Sequence, residues 1–422
     1  MNIVDEFEWR GMLYDASDGT REMFERERFT AYVGFDPTAS SLHVGSLLPI
    51  MALARLQRAG HNPIALVGGG TGLIGDPSGK SQERTLLSVE DVDANVRGMR
   101  AQLERFLDFD AAANPARMLN NADWLRPVTL LEFLRDTGKH FTVNYMLAKE
   151  SVKRRLGGDE GISFTEFSYL LLQSHDYLVL HRQFGCNLQM GGSDQWGNIT
   201  AGCDLIRKVA GGKAHGLVFP LVVTSAGTKF GKTEAGTVWL DPARTSPFRF
   251  YQFWLNTDDR DVATYLKFFT WLDREVITGL EATLSEAAAT RQAQQTLARE
   301  VTAMVHGAAE LARAERASAV LFGGSLREAD PADLLMVFDD VPSTSMSREV
   351  FESTSVAAAA VAAGLAASKG EASRLIKQGG VYLNGDRVSD DRRLLTLSDT
   401  IGGKLVVFQK GQRERRLVRI EE

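Results

Sequence analysis

The sequence predicts an α/β fold, with a doubly wound parallel sheet first, an all-α region next and a small α+β domain last. Strand-like and helix-like segments alternate before Pro247, and two of the strand-like segments, 62–70 and 186–192, end in glycines. Alternation of this kind, with glycine at strand ends, is typical of parallel sheets crossed by helices. After Pro247 a helical period rich in Ala, Glu, Arg and Leu takes over. Asn384-Gly385 then marks a hairpin.

Length and composition indicate a packed protein of several domains. The chain has 422 residues, of which 44% are hydrophobic and 24% charged, so about three domains with ordinary cores are expected. The two cysteines, Cys186 and Cys203, argue against a disulfide framework and a structural zinc site. The acidic start lacks a leader pattern, and no apolar run reaches membrane-spanning length. We therefore expect a soluble, cytoplasmic protein with no membrane partner.

Charge is distributed unevenly along the chain. Residues 368–422 contain 12 Lys and Arg against 8 Asp and Glu, a net charge of +4. Because the whole chain carries −6, the remaining residues carry −10. An acidic body with a basic end is typical of a protein whose last segment binds a polyanion.

The predicted elements follow from these patterns in order. Buried strands are expected at 29–35, 62–70, 186–192 and 217–223, and a helix from His43 to Gly60. A mostly helical insertion is expected at about 88–150. The predicted domains are an α/β body at 1–247, helices at 248–321, a linker at 322–354, and a small domain at 355–422 with an Ala-rich helix and a hairpin.

The first candidate site is the turn "YVGFDPTASSLHVGSLL", where a strand gives way to a helix near His43. A helix N-terminus presents backbone N–H groups and the positive end of its dipole, so it favours phosphate. Gly45 would let a nucleotide approach the backbone, and His43 would donate to a phosphoryl oxygen. The alternative is an ordinary histidine at a helix start.

The second candidate is "GGGTGLIGDPSGKSQERT", with Asp76 at a strand end and Lys80 and Arg84 beyond it. Pro77 and the spacing differ from the usual phosphate-binding P-loop. A carboxylate deep at the strand end would bind an amine, and the two cations would meet phosphates. A flexible loop without a ligand is the alternative.

The third candidate lies on the helix "SYLLLQSHDYLVL". Tyr169, Gln173 and Asp176 follow at i, i+4 and i+7, so they share one face among leucines. Buried polar groups need partners, and a ligand with an amine and a hydroxyl would supply them. A half-exposed helix with a polar stripe remains the alternative.

Two further stretches complete the set. In "QMGGSDQWGNIT", Gln189 ends a strand and Asp194 and Gln195 open a helix, a ligand position in parallel sheets; a helix-capping carboxylate is the alternative. The loop "GTKFGKTEAGT" places Lys229 and Lys232 among small residues, which suits a mobile arm that brings two cations to a phosphate. A solvated surface loop is its alternative reading.

Taken together and in this order, these stretches resemble bacterial tyrosyl-tRNA synthetases of the class I aminoacyl-tRNA synthetase family. His43–Ser46 (HVGS) is similar to the family's HIGH element, and Lys229–Thr233 (KFGKT) to its KMSKS loop. The ending "SKGEASRLIKQGGVYLNG" also fits, so the resemblance covers essentially the whole chain. It implies a Rossmann-like catalytic domain at 1–247, an anticodon-region domain at 248–321 and a ribosomal-protein type RNA-binding domain at 355–422.

The resemblance implies a two-step ligase reaction. The carboxylate of L-tyrosine attacks the α-phosphate of ATP, giving tyrosyl-adenylate and pyrophosphate, and the terminal adenosine of tRNA(Tyr) then takes the tyrosyl group. Mg²⁺ would accompany ATP as part of the substrate, with no tightly bound cofactor and no resident metal. The helical insertion resembles the segment that forms the dimer interface in this family, which implies a homodimer.

The resemblance also implies roles for individual residues. The catalytic group is His43, Lys80, Arg84, Lys229 and Lys232. The tyrosine-binding group is Tyr32, Asp76, Tyr169, Gln173, Asp176, Gln189 and Gln195, of which Tyr32 and Asp176 would hold the phenolic hydroxyl and Asp76, Tyr169 and Gln173 the ammonium group. The ATP-binding group is Gly34, Asp36, Thr38, His43, Gly45, Asp194 and Lys232.

Two departures from the family pattern and three rival functions stay open. Ser46 stands where the HIGH element ends in histidine, and no role is assigned to it. The KFGKT loop keeps both lysines, as charge neutralisation requires. The rivals are a synthetase for tryptophan, an RNA-binding relative without catalysis, and an unrelated ATP-dependent adenylyltransferase. Tyr32 and Asp176 argue against the first, because an indole offers no hydroxyl.

Overall fold

The computed structural model describes residues 2–26, 28–78, 86–157, 161–228, 230–233, 236–321, 326–338, 341–411 and 414–421. The chain divides into two compact units. The first comprises residues 1–245 and 254–305, and the second comprises residues 246–253 and 306–422. Among the described residues, no helix combines the length and apolar character needed to cross a bilayer.

The first unit is built on a six-stranded sheet. Its strands are β1 (Asp15–Ala16), β2 (Thr30–Phe35), β3 (Asn62–Val67), β4 (Arg117–Asn120), β5 (Cys186–Gly192) and β6 (His215–Phe219). They lie in the order β1-β6-β5-β2-β3-β4. Among these described strands the β1–β6 pair is antiparallel and the other pairs are parallel. The central strands are buried almost throughout, which explains their continuous apolar sequences and confirms the predicted fold class.

The order of the strands creates a crevice at the sheet's centre. From β2 the chain moves outward through β3 and β4, and it then returns to the other side of β2 to form β5 and β6. Connections therefore diverge between β2 and β5. In doubly wound sheets, ligands bind outside the carboxyl ends of the strands at such a point.

In the described part of residues 2–210, ten helices accompany this sheet. They are α1 (Ile3–Trp9), α2 (Thr20–Arg26), α3 (Leu47–Arg58), α4 (Val89–Leu103), α5 (Ala122–Leu125), α6 (Leu130–Asp136), α7 (Val143–Leu147), α8 (Glu150–Leu156), α9 (Phe164–Phe184) and α10 (Trp196–Ala210). The long helix α9 starts where the side chain of Ser163 caps the backbone N–H of Glu166. It ends at Gly185, whose φ of 62° is the left-handed conformation that glycine adopts freely.

The structure refines three sequence-based predictions. The helix predicted from His43 begins as a 3₁₀ turn at Val44–Ser46 and becomes α-helical at Leu47. The strand predicted at 217–223 ends at Phe219, since Pro220 has no N–H to donate to a ladder. The insertion predicted as mostly helical at 88–150 also contains a strand, β4, which pairs in parallel with β3.

Helices dominate the chain after the small β7–β8 hairpin (Lys232–Thr233 and Gly236–Thr237). They are α11 (Pro247–Leu255), α12 (Asp259–Phe269), α13 (Arg274–Glu286), α14 (Gln292–His306) and α15 (Ala308–Leu321). The first segment of the first unit ends at residue 245, two residues before the predicted boundary at 247/248, but residues 254–305 of the predicted helical region group with that first unit. The buried Arg10 explains part of this grouping, since it donates to the carbonyl of Lys267 in α12 and to that of Leu272 just after α12.

The second unit contains a five-stranded sheet with short helices. Its elements are α16 (Pro331–Val337), β9 (Ser343–Ser347), α17 (Arg348–Glu352), α18 (Val356–Ala362), α19 (Lys369–Lys377), β10 (Val381–Leu383), β11 (Asp386–Arg387), β12 (Leu405–Lys410) and β13 (Glu414–Glu421). The strand order is β11-β10-β12-β13-β9. Asn384 and Gly385 have φ of 50° and 90°, which confirms the predicted hairpin turn.

The interval predicted as a linker, 322–354, contributes to this sheet. Its strand β9 pairs in parallel with β13 at the sheet's edge, so the C-terminal fold begins before residue 355. The sequence of β9, "STSMS", has one buried apolar residue, Met346. A polar edge strand of this kind gives almost no alternating signal, which is why it resembles a linker in the sequence.

Candidate active site

A cavity of about 630 Å³ opens at the carboxyl ends of β2 and β5, where the connections diverge. Its walls come from β2 and the turn after it, the start of α3, the loop after β3, helix α9 and the end of β5. The sequence-predicted residues that line it are Tyr32, Gly34, Asp36, Thr38, His43, Gly45, Asp76, Tyr169, Gln173, Asp176, Gln189, Asp194 and Gln195. Four separate sequence stretches therefore meet in one site.

The predicted cationic residues are not among the described residues that line the cavity. Lys80, Arg84 and Lys229 lie outside the described residues. Lys232 is exposed in β7 and is not part of the cavity wall. Its neighbour Gly231 lies against the start of α3, since a methyl group on Gly231 would stand 2.5 Å from Cγ2 of Val44 and 3.6 Å from the backbone nitrogen of Gly45.

Helix α9 brings the buried carboxyl of Asp176 to the cavity wall. Asn121 donates from Nδ2 to Oδ2 of Asp176 at 2.8 Å, and the Trp124 indole N–H donates to Oδ1 at 2.7 Å. Burial raises the pKa of Asp176 to about 7, against the lowering effect of these two donors. The group is therefore held at a fixed place and titrates near neutral pH.

Two buried polar atoms of the cavity have no hydrogen-bond partner among the residues that the structure describes: the hydroxyl of Tyr32 and Oε1 of Gln189. Tyr32 and Gln189 lie opposite each other in register on β2 and β5. Burial, and then the nearby Asp176, raise the pKa of Tyr32 well above its ordinary value, so its hydroxyl keeps its proton. Buried polar atoms left unpaired are costly unless a ligand satisfies them.

The second carboxylate, Asp76, belongs to a connected polar network. Its Oδ2 accepts from Nε2 of Gln195 at 2.6 Å, and its Oδ1 accepts from the backbone N–H of Ser78 at 2.9 Å. Asn198 donates to Oε1 of Gln173 and to Oε1 of Gln195, at 3.0 and 3.2 Å. The loop after β3, helix α9 and the start of α10 are thereby fixed to one another.

The cavity is lined by small residues on its other side. A methyl group on Gly34 of β2 would meet nothing within 4 Å, so the missing side chain leaves room above the strand. A methyl group on Gly45 would stand 2.7 Å from the ring of His43. That ring also packs edge-on against Trp239, 6.1 Å away between centroids. Glycine at position 45 therefore makes space for the imidazole at the cavity wall.

The segment around the KFGKT loop is attached directly to the His43 turn. Val44 donates its N–H to the carbonyl of Val238 at 3.0 Å, and Val238 donates to the carbonyl of Gly231 at the same distance. Phe230 is buried and stacks on Phe269 at 5.4 Å between ring centroids. The described part of this loop is therefore anchored at Phe230 and Gly231, next to the site.

Sequence reasoning missed the residues that support the predicted ones. Asn121 and Trp124 hold Asp176, while Ser78 and Asn198 hold the Asp76 network. Asn121 also accepts from the N–H of Gly70 at 2.7 Å. The available signal was the polar pair Asn120-Asn121 directly after the short apolar stretch of β4, the same strand-end pattern used elsewhere.

This arrangement suits a ligand whose ends differ chemically. Asp76 and the amide groups of Gln173 and Gln195 favour a cation with several N–H donors. Asp176 and Tyr32 favour a hydroxyl. The glycine-lined wall beside His43 and the start of α3 favours a flat group attached to a phosphate.

Comparisons with known proteins identify the family. A model of the class I tRNA synthetases for tryptophan and tyrosine (W and Y) matches residues 25–323. A model of the SYY-like C-terminal domain of tyrosine–tRNA ligase matches residues 333–418. The tyrosine–tRNA ligase of Roseiflexus castenholzii is 57% identical over 420 residues, covering 99% of both chains. This chain belongs to the tyrosine–tRNA ligase family.

Other relatives of this synthetase agree with that membership. The tyrosine–tRNA ligase of Geobacillus stearothermophilus is 51% identical over 99% of this chain and all of its own. The crystal structure of a C-terminally truncated mitochondrial tyrosyl-tRNA synthetase from Aspergillus nidulans is 32% identical, with a TM-score of 0.70 over 76% of this chain and 94% of that chain. A tryptophanyl-tRNA synthetase from Encephalitozoon cuniculi, at 14% identity and a TM-score of 0.51, shares the fold alone.

Proposed function

We propose that this synthetase activates L-tyrosine with ATP and transfers it to the terminal adenosine of tRNA(Tyr). The observation that carries the proposal is the single cavity in which a hydroxyl-recognising end, a carboxylate network and a glycine-lined wall meet. Family membership supports the reaction class, and the full-length relatives named tyrosine–tRNA ligase favour tyrosine over tryptophan.

The phenolic hydroxyl of tyrosine would lie between Tyr32 and Asp176. Both oxygens of Asp176 already accept an N–H, and each keeps a second lone-pair direction for the phenol. Tyr32 has a protonated, unpaired hydroxyl that would donate to the substrate oxygen. Phenylalanine would leave both groups without a partner, so the pocket selects for the hydroxyl.

The ammonium group would bind at the other end of helix α9's polar face. Asp76 supplies the charge, and Gln195 and the N–H of Ser78 hold its carboxylate in place. Gln173 and Tyr169, one and two turns before Asp176 on the same face, supply further acceptors. Gln189 and Gln195 would complete the pocket for tyrosine.

ATP would lie along the wall formed by the end of β2 and the start of α3. Gly34, Asp36, Thr38 and Gly45 would contact the nucleotide, Asp194 its ribose, and His43 the α-phosphate side. The tyrosine carboxylate oxygen would attack the α-phosphorus as the bond to the pyrophosphate oxygen breaks. Mg²⁺ would enter with ATP as part of the substrate, and no tightly bound cofactor is needed.

The four predicted cations would neutralise the leaving pyrophosphate. Lys229 and Lys232 would do so from the KFGKT loop, and Lys80 and Arg84 from the segment after Asp76. Such a reaction depends on positioning and charge stabilisation more than on a protein nucleophile. The anchoring of Phe230 and Gly231 beside the His43 turn supports this role for the loop.

The remaining regions would serve tRNA and assembly. We propose that the helices of 248–321 contact the anticodon region and that the basic C-terminal domain binds RNA phosphates, in a cytoplasmic homodimer. Exposed apolar side chains on and beside α6–α8 support the dimer, since large exposed apolar surfaces mark interaction sites. They include Leu130, Leu131, Val143 and Phe164, which are 60–79% exposed.

Pyrophosphate–ATP exchange with each amino acid offered singly tests the first step. We expect exchange with tyrosine and none with tryptophan or phenylalanine. Exchange driven by tryptophan, or an absence of exchange with every amino acid, would refute the proposed substrate. Lys232→Ala should lower exchange far more than it weakens tyrosine binding, and equal losses in both would refute the role given to the loop.

A further inference from the structure

Helix α4 lies along the loop that leads into the His43 turn. Three of its residues, Asn95, Gly98 and Gln102, are spaced i, i+3 and i+7 and therefore share one face. Asn95 donates from Nδ2 to the carbonyl of Pro37 at 2.9 Å. A methyl group on Gly98 would overlap the carbonyl oxygen of Ser40. The helix thus approaches the backbone of residues 37–40 as closely as glycine permits.

Gln102 makes the most extensive contact from this face. Its Oε1 accepts the backbone N–H of Leu42 at 2.8 Å, and its Nε2 donates to Oγ of Ser41 at 3.1 Å. Leu42 directly precedes His43 in the chain. Gln102 therefore fixes the last peptide before the imidazole, although it is not part of the cavity wall.

The buried Ser41 connects this contact to the strand-like segment after the KFGKT loop. Oγ of Ser41 accepts the backbone N–H of Asp241 at 3.1 Å and donates to the carbonyl of Leu42 at 2.7 Å. That carbonyl also accepts the N–H of Leu240 at 2.9 Å. Helix α4, the His43 turn and residues 238–241 thus meet at one hydrogen-bonded node.

We propose that Gln102 and Ser41 are positioning residues that set the separation between the His43 turn and the KFGKT loop around ATP. The inference rests on the proposed roles of His43 and Lys232. Neither Gln102 nor Ser41 touches the reacting atoms. They act by holding two backbone segments whose side chains would flank the phosphates, and misplacement of such segments is costly for phosphoryl chemistry.

The test is Gln102→Ala in the full-length protein, assayed by pyrophosphate–ATP exchange and by equilibrium tyrosine binding. Loss of the two hydrogen bonds should lower kcat/KM for ATP by roughly 5–30-fold, with the dissociation constant for tyrosine unchanged. Gln102→Glu should restore part of the activity, since a carboxylate oxygen still accepts the N–H of Leu42 but offers no donor to Oγ of Ser41. Gln295→Ala, at an exposed glutamine of α14, is the matched control and should change neither quantity.

The outcomes separate this inference from the proposed function. Equal losses in tyrosine binding and ATP use, or no loss in either, would overturn the positioning role. Failure of Gln102→Glu to recover activity would also overturn it. If Lys232→Ala leaves exchange intact, the proposed role of the KFGKT loop fails, whichever result Gln102→Ala gives.

Discussion

Tyr32 and Tyr177 form a matched pair that tests how the cavity recognises a hydroxyl. Both are fully buried, and their rings lie 5.3 Å apart between centroids. The Tyr177 hydroxyl donates to the carbonyl of His215 at 2.7 Å, whereas the Tyr32 hydroxyl has no partner within the described part of the chain. Removing each hydroxyl by substitution with phenylalanine should therefore have opposite consequences.

The expected magnitudes follow from the cost of an unsatisfied buried polar group. Tyr32→Phe removes such a group, so the free energy of unfolding of the free protein should stay constant or rise by about 1 kcal/mol. The same change removes one neutral hydrogen bond to bound tyrosine, worth about 0.5–1.5 kcal/mol, or roughly 2–13-fold in the dissociation constant. Tyr177→Phe instead removes the hydrogen-bond donor of the His215 carbonyl and should lower the free energy of unfolding by about 1–3 kcal/mol.

Urea unfolding of the free protein and equilibrium dialysis with tyrosine measure both quantities. Tyr177→Phe should leave the dissociation constant for tyrosine nearly unchanged, because its hydroxyl is already engaged. A Tyr32→Phe protein that is destabilised as much as Tyr177→Phe, and that binds tyrosine normally, would refute the assignment of this hydroxyl to the ligand.

Three further predictions concern other parts of the site. Burial raises the pKa of Asp176 to about 7 from 3.8, so the folded protein binds this proton more tightly than the unfolded chain does. The carboxyl's contribution to the free energy of unfolding therefore falls by about 4 kcal/mol as pH rises from 4 to 7. Asp176→Asn should accordingly stabilise the free protein against urea more at pH 8 than at pH 5, and an equal effect at both pH values would contradict this pKa. Gly34→Val should fill the open space above β2 and raise the KM for ATP at least about tenfold with normal thermal unfolding, whereas an unchanged KM in the exchange assay would place the nucleotide elsewhere. Phe230→Ala should empty the pocket beside Trp254 and Phe269, costing about 3–5 kcal/mol in urea unfolding and lowering kcat for exchange more than tyrosine affinity; an unchanged kcat would argue against Phe230 as the anchor of the loop.

Two signals in the sequence, helical periodicity and the positions of strand ends, predicted part of the site. Tyr169, Gln173 and Asp176 were predictable because helical spacing alone puts them on one face. Asp76 and Asp194 were predictable because strands of a parallel sheet direct their ends to one edge. These local rules place residues within one element and need no knowledge of its neighbours.

The supporting residues depend on contacts that no local rule supplies. Asn121 and Trp124 reach Asp176 only because β4, a strand of four residues, joins the sheet beside β3. So short a strand among helices has no readable period, and the strand was therefore not predicted within the mostly helical insertion. The node of Gln102, Ser41 and Asp241 was hidden for the same reason, since its members come from three distant segments.

The pairing of β2 with β5 has a consequence for synthesis of the chain on the ribosome. Tyr32 lies opposite Gln189, and the whole of β3, β4 and the helical insertion is translated between them. Closing so long a loop is slow and is rewarded only when the later strand arrives. A nascent chain whose β5 and start of α10 are still in the exit tunnel lacks the side of the cavity formed by residues 189–195, so the pocket is completed only after these residues emerge.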